Sequence, residues 1–514
     1  MQTPLIKSLK RGTYSDMLKV LLINPPQTIY DGSIGRSIYF PIGLMFLASA
    51  VRDVSHIEIL DCLTSGAEIK EGNAVTYGAL QNEIKNIIIE KQPEIVGISV
   101  PFSSQYENAK RVAIIAKEVN PNVITVFGGP DPSVRFQSIL ENGYCDYCIV
   151  GEGEETLREF IINFCSPSKL KQIKGLAYKE DGAVHYEPRP FKTNLDALPF
   201  PAFDLVDMDL YLKNEALYMN RSKIYRKSIS VITSRGCPYN CVFCSIRLHM
   251  GQKYRSHSPD YVIKLLKLCI KKYGITNFHF EDDNISFDKQ RFETLLNRII
   301  KENLQIKWDT PNGVRIDTLN YNILQKMKQS GCAQITLAIE SGNQRVLDEI
   351  IKKKTKLPYI LEIVEYCKKL KISANAFYVI GFPGETIREM KDTTNLALKL
   401  YQDFDLHPHL MIATPLYGTE LYEICMRDNL LKGTPTFEEL AIATQTTGNP
   451  MISTADWSQK DIRQVIDEFS NDLVNEQRRK LLKHPSVFLK HPRAAIRLLK
   501  NRRMKSSDNC LHKK

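Results

Sequence analysis

The sequence predicts an α/β protein, with a doubly wound, Rossmann-like parallel sheet first, then a partial (β/α)6 TIM-like barrel and a helical C-terminal region. Two observations carry that prediction. Between Lys19 and Phe164 five short apolar runs, KVLLIN, IEIL, EIVGISV, VITVFGG and YCIVGEG, alternate with amphipathic stretches such as PIGLMFLASAVRD. Continuous apolar runs of this length, spaced by helical periodicity, are the pattern of parallel strands covered on both faces. From Ser228 a second alternation runs through SISVIT, NFHFED, IKWDTPNG, QITLAIE, SANAFYVIG and HLMIAT, each followed by a helical segment. Six strand and helix pairs with polar residues at the strand ends suggest an open barrel whose site lies at that face.

The order of elements divides the 514 residues into a first domain over 1–165, a connector over 166–223, the barrel over 224–433 and a helical region over 434–514. A chain of this length is too long for one ordinary core. The connector carries EPRP and LPFPAF without a clear period. In the first domain the strands end in NPP (Asn24 to Pro26), SVPFSS (Ser99 to Ser104), GGPDPS (Gly128 to Ser133) and GEGEE (Gly151 to Glu155). Ligands of doubly wound sheets lie beyond such carboxyl ends.

A hydrophobic fraction of 43% with 25% charged residues is ordinary for a soluble protein, and no run reaches the roughly 18 apolar residues of a membrane span. The start, MQTPLIKSLKRGTYSDMLKV, lacks the apolar core of a secretory signal, so a reducing cytoplasm with free thiols is expected. The formal charge is +11, and Asn475 to Lys514 holds 13 Lys/Arg against Glu476 and Asp508, so the basic character belongs to the tail. Its RRKLLKHPSVFLKHPRAAIRLLKNRRMK suits either a helix packed on the barrel with a solvated end, or an anionic membrane surface contacted peripherally. A specific nucleic-acid partner is not expected, since no recognition fold accompanies the charge.

Three of the cysteines fall within eight residues: SRGCPYNCVFCS places Cys237, Cys241 and Cys244 directly after the first barrel strand, spaced C-x3-C-x2-C. A cubane iron–sulfur cluster normally takes four thiolates, so three on one loop leave one iron for something other than protein. A zinc site completed by His249 or His257 is the bland alternative. Cys145 and Cys148 form a C-x2-C pair inside the fifth apolar run and read as core.

CPYNCVFCS after the first strand of a six-fold β/α pattern resembles the radical S-adenosylmethionine (radical SAM) superfamily over roughly residues 224 to 430. The resemblance implies a [4Fe–4S] cluster whose free iron binds SAM and whose electron cleaves it to methionine and a 5′-deoxyadenosyl radical. An external donor such as flavodoxin or ferredoxin would supply that electron. Residue by residue, it places Phe243 near the adenine, Glu281 or Asp282 of FEDDN near the SAM amino group, and Arg315 of NGVRID beyond the third strand. Glu340 and Ser341 of IESGNQRVLD follow at the fourth strand and Gly381 of GFPGET at the fifth, while TPLYGTELYE has Tyr417 where the family pattern has proline.

The order of a doubly wound domain, a connector and then such a barrel resembles the cobalamin-binding class of the superfamily. GGPDPS and GEGEE are similar to that class's GGPHPT and GEGE loops, with Asp131 where histidine is common. This implies cobalamin contacts at Asn24, Pro25, Ser99, Gly128, Gly129, Pro130, Gly151, Glu152 and Gly153. The D-x-H-x-x-G motif of the other cobalamin-binding group is absent, with Leu63 of ILDCLTSG at the histidine place, so a lower face without histidine is expected. The scattered remaining cysteines do not form the N-terminal ligand set of methylthiotransferases.

What the resemblance implies is an enzyme, a cobalamin-dependent C-methyltransferase acting at an unactivated carbon of a small-molecule or lipid substrate. In that mechanism the deoxyadenosyl radical takes a hydrogen atom and methylcobalamin supplies the methyl group. Two alternatives stay open: a ring-forming enzyme, such as a tetrapyrrole cyclase or lipid ring synthase, and a non-catalytic cobalamin sensor or carrier. No residue is assigned as catalytic acid, base or hydrogen donor.

Overall fold

A computed structural model describes residues 17–30, 38–213, 222, 224, 227–443 and 449–483. They form two compact units, one built chiefly on residues 38–213 with 17–29 and 245–257, the other on 227–244 and everything from Ser258. The segment that follows the third cysteine of the cluster motif therefore folds with the first unit, whereas the motif itself folds with the second.

In the first unit, β1 (Leu18–Asn24), β2 (Ser55–Asp61), β3 (Ile95–Ser99), β4 (Ile124–Gly128) and β5 (Tyr147–Ile149) are the five apolar runs of the sequence. They lie in the order β2-β1-β3-β4-β5, all parallel. Both faces are covered: on one, Leu18, Val20 and Leu22 of β1 pack in one core with Leu44 and Ala48 of helix Ile42–Val51 and with Leu157 and Phe160 of helix Glu154–Ile162. On the other, Leu21 and Ile23 are buried. The chain runs from β1 outward to β2 and then returns to the other side of β1 for β3. The switch point of the sheet thus lies between the carboxyl ends of β1 and β3, where Asn24, Pro25 and Ser99 stand.

The sheet is larger than the sequence predicts. Within the stretch read as a connector, β6 (Leu176–Glu180) and β7 (Ala183–Tyr186) add an antiparallel hairpin to the β5 edge. These strands are only partly buried, so they lack the apolar runs by which the others are read. A small sheet of Gln27–Tyr30, Ala74–Tyr77 and Glu68–Glu71 is a second addition.

In the second unit, β8 (Ser228–Val231), β9 (Asn277–Phe280), β10 (Lys307–Arg315), β11 (Cys332–Glu340), β12 (Ser373–Ile380) and β13 (His407–Ile412) pair in chain order, all parallel, and β8 does not pair with β13. This is the open six-stranded barrel that the second alternation predicts. One face of the strands packs on helices, as where Trp308 meets Phe280 and Phe292. The opposite face is polar: Ser230, His279, Asp309, Gln334 and Ser373 are successive partners across β8 to β12, and His279 Nδ1 lies 2.7 Å from Asp309 Oδ1.

The barrel helices start where the sequence supplies caps. Ser258 accepts from the Tyr261 amide, Asp288 from that of Arg291, and Thr386 with Glu389 forms a capping box at the head of helix Ile387–Phe404. Beyond the barrel come helices Phe437–Ala443 and Gln459–Lys483. The basic tail after Lys483 lies outside the described residues. Among the described residues no helix is long and apolar enough to cross a membrane.

Candidate active site

β8 delivers the cysteine loop, and the turn after β9 grips it. Asp282 Oδ1 accepts from the Thr233 amide at 3.0 Å, the Thr233 hydroxyl at 2.8 Å and the Ser234 hydroxyl at 2.5 Å. The next residue, Asp283, accepts from the Gly236 amide at 2.8 Å, and the one after it, Asn284, directs Nδ2 to Cys237 Sγ at 3.9 Å. Three consecutive side chains thus hold successive residues of the loop. Burial pushes the Asp282 carboxyl up, and the hydroxyl and amide donors oppose it.

The far side of the loop is tied by backbone. The Val242 amide donates to Ile351 O at 3.2 Å, and Val242 O accepts from Leu421 at 2.9 Å. Three non-glycine residues here have left-handed backbone, Glu340, Lys352 and Lys354, with φ of 68°, 63° and 61°. Such conformations cost on the order of 1–3 kcal/mol each and gather at functional sites. Between the two strained lysines, Lys353 points inward, 4% exposed, and donates to Glu340 Oε1 at 2.8 Å.

Arg315, at the end of β10, is held by Asp317 and by Lys353 O at 2.8 Å, and its guanidinium lies 3.5 Å from the ring centroid of Tyr239, inside the cysteine loop. Its Nη1 is buried without a hydrogen-bond partner. Burial pushes the Cys237 and Cys241 thiols up; the Tyr239 amide and Asn284 pull Cys237 back, and the charges of Lys353 and Arg315 pull Cys241 back. Cationic surroundings favour thiolates.

This donor set fits an anionic iron–sulfur cluster. All three cysteines carry thiols and are partly exposed, and among the described residues Arg315 Nη1 is left without a hydrogen-bond partner. Among the described residues no three His, Cys, Asp or Glu side chains converge on a point where a single ion could sit. A cubane asks for no such convergence, because each thiolate binds a different iron. Of the histidines considered for zinc, His257 faces Asp196 at 3.3 Å, and His249 is half-buried and held neutral, its pKa lowered by desolvation to about 4.

The other residues singled out for SAM divide in two. Phe243 pairs with Phe382 of the GFPGET turn, ring centroids 5.9 Å apart; Glu281 accepts from Ser230 at 2.6 Å, and burial raises its pKa. Ser341, by contrast, is fully buried against Thr393 of helix Ile387–Phe404 at 3.0 Å. Gly381 donates its amide to Glu385 Oε2 at 2.8 Å. Tyr417, in the proline place, donates its hydroxyl to Pro435 O at 2.7 Å.

In the first unit, three of the polar residues at the strand ends already have partners. Asn24 donates to Asp61 Oδ1 at 2.8 Å. Asp131 takes Ser103 at 2.5 Å and a bidentate grip from Arg135 at 2.7 Å. Glu152 takes Arg255 at 2.7 Å and 2.8 Å, from the segment that follows the cysteine motif. The glycines differ among themselves. Gly129 has φ of +110° and a Cβ there would stand 3.0 Å from Val100 O, so the fold itself requires it. At Gly128 a Cβ would meet only Ile149, at 4.0 Å, so the space beside it is open for a ligand. A cradle of backbone and open space at the sheet's ligand edge fits a corrin, and Leu63, buried at 2% exposure, leaves no histidine in the lower-ligand place.

Comparison with known proteins agrees with both units. The Radical SAM superfamily model matches residues 231–397, and the B12 binding domain model matches residues 35–161. The chain is 36% identical over 417 residues to the uncharacterized methyltransferase PH0819 of Pyrococcus horikoshii, covering 81% of this chain and 84% of that protein. It is 29% identical over 488 residues to cytidylyl-2-hydroxyethylphosphonate methyltransferase of Streptomyces wedmorensis, covering 88% and 89%. Its fold matches the cobalamin-dependent S-adenosylmethionine radical enzyme OxsB, with aqua-cobalamin and S-adenosylmethionine bound, at a TM-score of 0.69 and 17% identity, over 94% of this chain and 72% of that one.

Proposed function

The chain belongs to the radical SAM enzymes that carry a B12-binding domain, and from that premise we propose that it methylates an unactivated carbon of a small-molecule substrate. The observation that carries the reading is a three-thiol loop with no fourth protein donor among the described residues, in one chain with a B12-binding domain and in a family with named methyltransferases. Cys237, Cys241 and Cys244 hold the [4Fe–4S] cluster. With both cofactors bound, the cluster and SAM supply a 5′-deoxyadenosyl radical and the corrin supplies the methyl group.

The chain's own residues bind, orient and shield. Phe243 and Phe382 flank the adenine, and Arg315 directs its free N–H at the anionic cluster and SAM carboxylate. Glu281 and Glu340 face the SAM amino group, with Lys353 fixing Glu340, and the Gly381 turn lets backbone approach the nucleoside. Asp282 and Ser341 act through the frame they brace. At the first unit, Pro25, Ser99, Gly128, Pro130, Gly151 and Gly153 line the corrin edge, while Asn24, Gly129 and Glu152 hold the loops that form it. A one-electron protein donor reduces the cluster.

The test is anaerobic purification with cobalamin supplied, followed by dithionite-driven SAM cleavage and a spectrum of the bound corrin. The reading expects 5′-deoxyadenosine, co-purified corrin and a product heavier by one CH2 unit. Product lighter by hydrogen would mean oxidative ring formation instead, and a cluster without corrin would end the cobalamin reading. Gly128→Ala gives a local check: it is expected to change unfolding by less than about 0.5 kcal/mol and yet to lower the corrin retained per chain.

A further inference from the structure

The turn Asp282–Asn284 grips the cysteine loop in register: Asp282 holds residues 233 and 234, Asp283 the amide of Gly236, and Asn284 the sulfur of Cys237. Asp282 and Asn284 are 2% and 1% exposed, so their side chains are shielded from water. Gly236 has φ of +81°, and its amide is fixed by a carboxylate 47 residues away in the chain. Asn284 offers Cys237 an N–H, and its own Oδ1 is buried without a partner. With a thiolate as the acceptor, only the N–H orientation of the amide is attractive.

We propose that Asp283 and Asn284 are positioning residues of the cluster: Asp283 shapes the loop to receive it, and the Asn284 N–H···S contact sets its reduction potential. The proposal rests on the reading of Cys237 as a cluster ligand. Hydrogen bonds to the sulfurs of a cluster stabilise its reduced, more negative state and raise the potential. Outer partners of this kind usually change metal-site affinity by 10–100-fold. The two residues therefore divide the work, one acting on retention and the other on the ease of reduction.

The experiment measures iron and labile sulfide per chain and the cluster's midpoint potential by anaerobic redox titration followed by EPR, without substrate. It compares the reconstituted full-length protein with Asp283→Ala, Asp283→Asn, Asn284→Ala and Cys241→Ala. Asp283→Ala is expected to lower iron per chain about tenfold under mild chelator challenge. Asp283→Asn, which keeps a carbonyl acceptor for the Gly236 amide, is expected to restore most of it. Asn284→Ala is expected to keep its iron but to show, at the wild-type midpoint, a reduced-to-oxidised ratio about tenfold lower, about 59 mV for one electron.

Wild-type iron retention in Asp283→Ala, with an unmoved midpoint in Asn284→Ala, would overturn the proposal. If Asp283→Ala failed to fold, the Asn284→Ala midpoint would decide alone. A wild-type protein that takes up no cluster, or a Cys241→Ala variant that keeps a full one, would instead overturn the reading on which the proposal rests.

Discussion

Cys241→Ala is expected to lose the cluster and all SAM cleavage, whereas Cys145→Ala and Cys148→Ala keep both. The two sets of thiols look alike as spacings but differ in surroundings. Cys241 sits on a loop tied at Val242 to Ile351 and Leu421, beside the charges of Lys353 and Arg315, which favour its thiolate against the cost of burial. Those backbone ties do not use the sulfur, so the variant keeps the frame and loses only a ligand. Cys145 and Cys148 are buried in the first unit with sulfurs 3.7 Å apart, and burial holds the Cys148 thiol far above its usual pKa. A buried thiol in such surroundings is a small apolar side chain, and its truncation costs about 1 kcal/mol of stability. Iron per chain and 5′-deoxyadenosine formed under dithionite check both halves; equal iron loss in Cys145→Ala would show that the first pair also binds metal.

In the first unit the strands are legible because both faces are covered, which writes them as continuous apolar runs. In the barrel one strand face is polar, and the strands show by the repeated alternation of strand and helix. The β6 and β7 hairpin is not legible, since its partly exposed strands carry no such run. The three-cysteine spacing is local, contained in eight residues, and local chemistry is what a sequence displays. The residues that support it are not local: Asp283 and Asn284 reach back 47 residues. Their only advance signal was that FEDDN ends the strand next to the one that bears the cysteines. In the first unit the resemblance implies a cobalamin contact at Glu152, which the structure pairs with Arg255, while Asp131, in the histidine place of GGPDPS, is paired with Arg135. Arg255 comes from a segment continuous with the cysteine motif, and no periodicity marks where the chain changes units.

Glu385 in the GFPGET turn leads to a stability that falls as pH rises, and Glu385→Gln is expected to remove that dependence. The carboxyl is fully buried. Its Oε2 accepts the Gly381 and Phe382 amides at 2.8 Å and 3.1 Å, while Oε1 is buried without a partner. Burial raises the pKa from 4.5 to about 8, against the pull of the two amides. In the unfolded chain the group ionises near 4.5, so between that pH and about 8 the unfolded state binds fewer protons than the folded one. Stability from the neutral carboxyl is therefore fully present below the unfolded pKa and is lost as pH rises through the folded one. At 1.36 kcal/mol per pKa unit the loss is on the order of 5 kcal/mol. Glutamine keeps the carbonyl acceptor for both amides and carries no charge, so the variant should lose less stability than the wild type between about pH 5.5 and pH 8.5, the range over which Glu385 titrates. Parallel pH curves for the two proteins would place the titration elsewhere. The wild-type residue costs stability at the upper end of that range, in the turn where Phe382 meets Phe243. Its two amide bonds fix the Gly381 turn after β12.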